Sequence, residues 1–180
     1  MRNPMERVRS AYAEYPRQFW VLIGSSFIDS VGGSMVFPYF TLYLTKRFGV
    51  GMTQVGFVFA IFSITGLVGS TIGGALCDRL GRKKMLVFGL VTSALSNLLM
   101  GLAPTFALFI TVALVVGMLS NTGTPAQRAM VADMLPLEKR TQGYAMLRVV
   151  HNLAVAVGPA IGGFIAMRSY MTLFITDAVA

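Results

Sequence analysis

Charge is what this chain has least of. Asp, Glu, Lys and Arg make up 12% of its 180 residues, 55% are hydrophobic, and mean hydropathy is +0.69. A soluble domain carries about 25% charged residues to hold its surface in water, so a water-soluble globule is excluded. Cysteine occurs once, as Cys77, and histidine once, as His151. A lone cysteine excludes an internal disulfide, and one Cys far from one His supplies no zinc set. Cys77 occupies a small-residue position beside Asp78, where it reads as a packed side chain or a thiol. Gly81-Arg82-Lys83-Lys84 lacks the upstream glycine and the Ser/Thr of a phosphate-binding loop, and no nucleophile–base–acid set is visible. The expectation is a protein that is not an enzyme and takes no cofactor or metal.

The charge that is present is mostly positive, 15 Lys and Arg against 7 Asp and Glu. It lies in short clusters between apolar runs, which is the pattern of membrane topology signals and not of a phosphate-tracking stripe. Nucleic acid is therefore not an expected partner; a lipid bilayer is. A helix needs about 20 apolar residues to cross the hydrocarbon. Five segments meet that length, at 19–44, 53–76, 85–102, 106–134 and 142–167. A sixth begins at Tyr170 and stops at Ala180, too short to cross. The fold class expected is an all-α polytopic membrane protein with five complete transmembrane helices plus the start of a sixth, a fragment of something longer.

Residues 1–18 mix Arg2, Arg7, Arg9 and Arg17 with Glu6 and Glu14. The apolar run behind them is too long for a signal peptide and lacks a cleavage site, so 1–18 is read as a cytoplasmic N-terminal segment. Arg79, Arg82, Lys83 and Lys84 lie between the second and third segments, and Arg128, Lys139, Arg140 and Arg148 surround the fourth-to-fifth connection. Only Lys46, Arg47 and Arg168 fall on the other side. The positive-inside rule puts the N-terminus and both basic connections in the cytoplasm.

Within the spans, Asp29 lies near the middle of the first. A carboxylate at that depth is costly, and it faces a bundle interior or water. It is the candidate proton-coupling group, the other reading being a structural carboxylate bonded to Ser26, Ser30 or Ser34. Small residues recur at four-residue spacing, Gly66, Ser70 and Gly74 in the second span (Gly69 and Gly73 beside them) and Ala154, Gly158, Gly162 and Ala166 in the fifth. Such stripes let backbones approach closely in lipid. Pro159, next to Gly158 and before Gly162-Gly163, removes a backbone donor and bends its helix. Arg148, His151 and Asn152 precede that bend. Arg148 either snorkels to the interface or lines a cavity, and His151 is either a proton relay or a hydrogen-bonded bundle residue.

Two motifs carry a family resemblance. The order Gly74, Leu76, Asp78, Arg79, Gly81, Arg82, Lys83 resembles the signature loop between the second and third helices of the major facilitator superfamily, and Gly158-Pro159-Ala160-Ile161-Gly162-Gly163 resembles the fifth-helix motif of its drug–proton antiporter branch. Two departures from that branch are present: Ala154 stands where a glycine is usual, and Gly117-Met118-Leu119-Ser120-Asn121 lacks the arginine of the fourth helix. The resemblance implies the N-terminal six-helix half of a transporter (residues 19–180, the sixth helix cut short and the C-terminal half absent) in a bacterial inner membrane. It implies alternating access coupled to protons, with a small amphipathic substrate exported; uptake of a metabolite is the alternative within that class, and a non-transporting truncated module the alternative outside it. It further implies that Gly74, Asp78, Arg79, Gly81, Arg82 and Lys83 form a cytoplasmic gate, that Asp78 engages a helix of the missing half, and that Arg82 pairs with an acid on the fourth helix, for which Asp133 is the match.

Overall fold

A computed structural model describes residues 13–179. Among the described residues seven helices follow one another: α1 Arg17–Phe48, α2 Met52–Leu80, α3 Arg82–Leu102, α4 Phe106–Ser120, α5 Gly123–Met134, α6 Leu137–Ala166 and α7 Tyr170–Val179. By length and composition five spans among the described residues are long and apolar enough to cross a membrane: α1, α2, α3, the α4–α5 pair taken together and α6. The fold is the all-α polytopic bundle that the hydropathy pattern predicts.

Several boundaries differ from the hydropathy reading. The α2 helix runs through Leu80, so Asp78 and Arg79 form its last turn and the connection to α3 shrinks to Gly81. Gly81 takes φ +93°, a conformation open to glycine and resisted by other residues. The first span begins at Arg17 and α6 at Leu137. Hydropathy marks where hydrocarbon ends; a helix continues beyond it because its backbone bonds are internal. The fourth span is interrupted at Asn121 and Thr122. Residues 1–12, with Arg2, Arg7 and Arg9, lie outside the described residues. The remainder of the proposed N-terminal segment packs on the bundle. Glu14 pairs with Lys139 at 2.8 Å, the Tyr15 hydroxyl donates to Gln142 Oε1 at 2.8 Å, and Tyr15 stacks on Phe19.

Two apolar clusters close the bundle at its ends. At the basic end Tyr15, Phe19, Leu22 and Ile23 meet Val131 and Leu135. At the other end Phe40, Tyr43 and Leu44 meet Val58, Met100, Phe109 and Phe174, with ring centroids 4.9 Å apart for Tyr43 and Phe174 and 5.7 Å for Phe40 and Phe109. The outer surface is apolar as well. On α3 the exposed side chains include Val87, Val91, Leu95 and Leu99, a row at four-residue spacing suited to lipid.

Between these ends the helices touch backbone to backbone. On α6, Gly162 lies so close to α1 that an added Cβ would sit 2.5 Å from the Met35 carbonyl oxygen, and Gly158 meets Ser34. On α2, Gly69 abuts the Met118 carbonyl of α4, and a Cβ on Gly73 would lie 2.6 Å from Thr122 Cα. The α4–α5 interruption thus lies at one end of the stretch, Met118 to Thr122, that α2 approaches closely. The packing stripe of α2 is thus Gly66, Gly69 and Gly73; the expected Gly66, Ser70, Gly74 row is corrected, since Gly74 faces open space. Side-chain bonds reinforce the α1–α6 seam. Ser34 Oγ donates to the Ala154 carbonyl at 2.8 Å and the Tyr39 hydroxyl to that of Pro159 at 2.9 Å. Replacing Gly162 by Val forces α1 and α6 apart and costs about 1–3 kcal/mol, read as a lower unfolding midpoint in detergent. Gly74→Ala changes it by under about 0.5 kcal/mol. Equal midpoints for both variants would contradict the seam.

Candidate functional site: a polar interior and a basic hinge

The α2–α3 hinge positions Arg82 at the first turn of α3, facing α5. Its Nη1 donates to the Ala129 carbonyl at 3.1 Å and forms an ion pair with Asp133 Oδ2. The side chains are 35% and 55% exposed, so the pair adds at most about 1 kcal/mol to stability; its value lies in joining α3 to α5. Asp78, Arg79 and Lys83 are exposed on the same end, and Asp78 has no ion-pair partner among the described residues. Cys77 is buried against Met85 and Ala126, a packed side chain.

Asp29 lines a cavity of about 260 Å³ between α1, α3 and the α4–α5 break, with Ser25, Ser26, Ser93, Asn121, Thr124 and Gln127 among its walls. Two of the serines that offered it a structural role are committed elsewhere. Ser26 Oγ donates to the Leu22 carbonyl at 2.6 Å and accepts from Gln127 Nε2, while Ser34 serves Val31 and Ala154. Neither donates to Asp29, whose carboxyl faces the cavity.

A second cavity, of about 600 Å³, lies towards the end away from the basic hinge. Ser93 and Asn121 line both cavities. One of its walls carries Asp177, on α7, a residue the sequence reading passed over. The signal was a carboxylate eight residues into an apolar stretch, hidden because the sixth segment was treated as a truncated end. Among the described residues no Lys, Arg or His lines either cavity.

Of the fifth-span residues, Ala154, Gly158 and Gly162 are buried in the α1 seam, and Gly163 lies beside the Tyr39 hydroxyl. Pro159 sits inside α6 without ending it. Arg148, His151 and Asn152 are exposed along the flank of that seam, and Asn152 stands at the middle of the 30-residue helix. The structure therefore separates three groups: the Arg82–Asp133 pair at the hinge, Asp29 and Asp177 at the two cavities, and the exposed α6 flank.

Spans, hinge and glycine seams together define a multi-pass membrane bundle of the transporter kind. The sequence pattern of the Major Facilitator Superfamily matches residues 22–180, and the chain belongs to that family. It is similar to the quinolone resistance protein NorA of Staphylococcus aureus, 27% identical over 158 residues that cover 88% of this chain and 40% of the relative. It is also similar to the uncharacterized MFS-type transporter YttB of Bacillus subtilis, 31% identical over 169 residues covering 91% and 41%. The chain thus spans about two fifths of the length of the curated relatives it matches.

If the hinge pair joins α3 to α5, then Arg82→Asp and Asp133→Arg each lower the unfolding midpoint in detergent, and the double exchange recovers part of the loss. The coupling is measured as a double-mutant cycle on unfolding midpoints; strictly additive losses would leave the pair without a link.

Proposed function

We propose that this chain is the N-terminal six-helix half of a proton-coupled exporter of small amphipathic molecules or drugs. It works by alternating access in a bacterial inner membrane, with the basic hinge in the cytoplasm. The observation that carries this reading is Asp29, a mid-span carboxyl that opens into a polar cavity and receives nothing from Ser26 or Ser34. A carboxyl in such a place changes its charge by taking up or releasing a proton, and the change alters the cost of exposing it to water or closing it in protein. That difference is what a coupling group supplies. It biases two arrangements of the bundle by its affinity for protons in each.

The hinge supports the same cycle. The Arg82–Asp133 pair holds the basic end of α3 to α5 in the arrangement seen here. Being exposed, it opens at low cost, as a gate requires. Asp78 and the open face at Gly74 are left for a second six-helix half. The α6 flank supports that partner too, because Arg148, and His151 and Asn152 at mid-helix, do not suit lipid. They face a water-filled cavity at the junction of two halves, where substrate sites of such transporters form. The printed name of one relative, a quinolone resistance protein, fits export of a drug-sized molecule.

Asp29→Asn is the test. In membrane vesicles under an imposed proton gradient, the variant loses gradient-driven dye transport by about tenfold or more, with protein level and unfolding midpoint unchanged. Full gradient-driven transport in this variant would remove Asp29 from coupling. Movement of the dye down the proton gradient, in the uptake direction, would replace export with a permease.

A further inference from the structure

The end of the bundle away from the hinge carries charge that topology does not ask for. Lys46 and Arg47 close α1, and Arg168 lies in the connection from α6 to α7. The positive-inside rule accounts for the bases at the hinge end and leaves these three without a reason. All three are exposed, and none forms an ion pair with a described residue. The described acids are elsewhere. Glu14, Asp78, Asp133 and Glu138 lie at the hinge end, and Asp29 and Asp177 line the cavities.

The fold brings the three bases to one corner. Lys46 Nζ lies 5.8 Å from the centre of the Tyr170 ring, in the first turn of α7, and the Tyr43 ring of α1 stands 6.0 Å from the same tyrosine. Arg168 precedes Tyr170 by two residues, and its N–H donates to the Ile165 carbonyl at 3.0 Å, continuing the last turn of α6. Bases at a helix C-terminus answer the partial negative charge there, about half a unit per helix. The ends of α1 and α6 thus offer about one negative charge to three positive ones. Below the bases the surface turns apolar. Leu42 lies one turn from Lys46 and Phe164 one turn from Arg168, and both are exposed.

Surplus positive charge above an apolar surface selects an amphiphile. A soluble anion would use the bases and leave Leu42 and Phe164 bare. A zwitterionic lipid would cover the apolar side chains and leave the charge unmatched. A lipid with a net negative headgroup does both. We propose that this corner binds an anionic phospholipid, its phosphate held by Lys46, Arg47 and Arg168 and its acyl chains lying along Leu42 and Phe164. Lysine and arginine at a membrane surface attract such headgroups, and the planar guanidinium of arginine matches phosphate oxygens. The bound lipid ties the end of α1 to the α6–α7 connection, where the like charges of the three bases otherwise repel. Neither the direction of transport nor the side of the membrane that the hinge faces enters into this binding.

The test is fluorescence quenching in the purified full chain, reconstituted in bilayers, with Trp20→Phe and Phe164→Trp placing the one reporter at the corner. Brominated phosphatidylglycerol is compared with brominated phosphatidylcholine of the same acyl chains. At low salt the first binds beside the reporter about fivefold or more tightly than the second, and the preference falls as salt rises. Adding Lys46→Gln, Arg47→Gln and Arg168→Gln together brings the ratio to about one. Lys84→Gln with Arg128→Gln, exposed bases at the hinge end, leaves it within about twofold of the parent. Equal quenching by the two lipids in the parent, or an equal loss in both sets of variants, overturns the proposal. So does loss of the preference on adding inorganic phosphate at constant ionic strength, which would make a soluble anion the occupant. Should the triple variant fail to fold, the ratio in the parent and its response to phosphate decide.

Discussion

The rest of this bundle depends on the contact of helix backbones where no side chain intervenes. Inside a membrane the surroundings are as apolar as the core, so burial alone does not press helices together and close packing takes over. The α1–α6 seam at Gly158 and Gly162 and the α2–α4 seam at Gly69 and Gly73 are the places where this occurs. Once α1 is fixed against α6 through Ser34, Met35 and Tyr39, its opposite face is turned towards α3 and the α4–α5 break. Asp29 is on that face. The position of the carboxyl thus follows from glycines several turns away on another helix.

The same packing explains why polar groups are distributed as they are. Ser26 and Gln127 bond to each other, and Ser34 bonds across the seam. These bonds satisfy groups that hydrocarbon would penalise. Asp29 and Asp177 differ in kind, because they line cavities to which the described residues bring no base. A bundle that served only to hold its shape would have little reason to keep two acids among its apolar helices. The exposed polar flank of α6 makes the same argument from outside, and both surfaces match the needs of a family whose members move molecules across membranes.

Much of this was legible in the sequence, and the reasons are physical. Five spans follow from hydropathy, because about 20 apolar residues are needed wherever hydrocarbon must be crossed. Gly81 marks the hinge, and the pairing of Arg82 with Asp133 follows from the resemblance of the loop to the family motif. What the sequence hid was rotation about helix axes. Gly66, Ser70 and Gly74 looked like one stripe, yet Gly69 and Gly73 make the contact, since five small residues in nine define no single face. The interruption at Asn121 and Thr122 was hidden as well, inside a stretch that reads as one long span. Asp177 was overlooked by attention to where its segment stops.

The central claim is that the α6 flank faces water at a junction between bundles and not lipid. Cysteine accessibility measures this directly, with His151→Cys placed in a Cys77→Ser background, in native membranes, and reacted with a membrane-impermeant maleimide. The account predicts modification at position 151 by the impermeant reagent. Modification by a lipid-soluble maleimide alone would place the flank against hydrocarbon and contradict it.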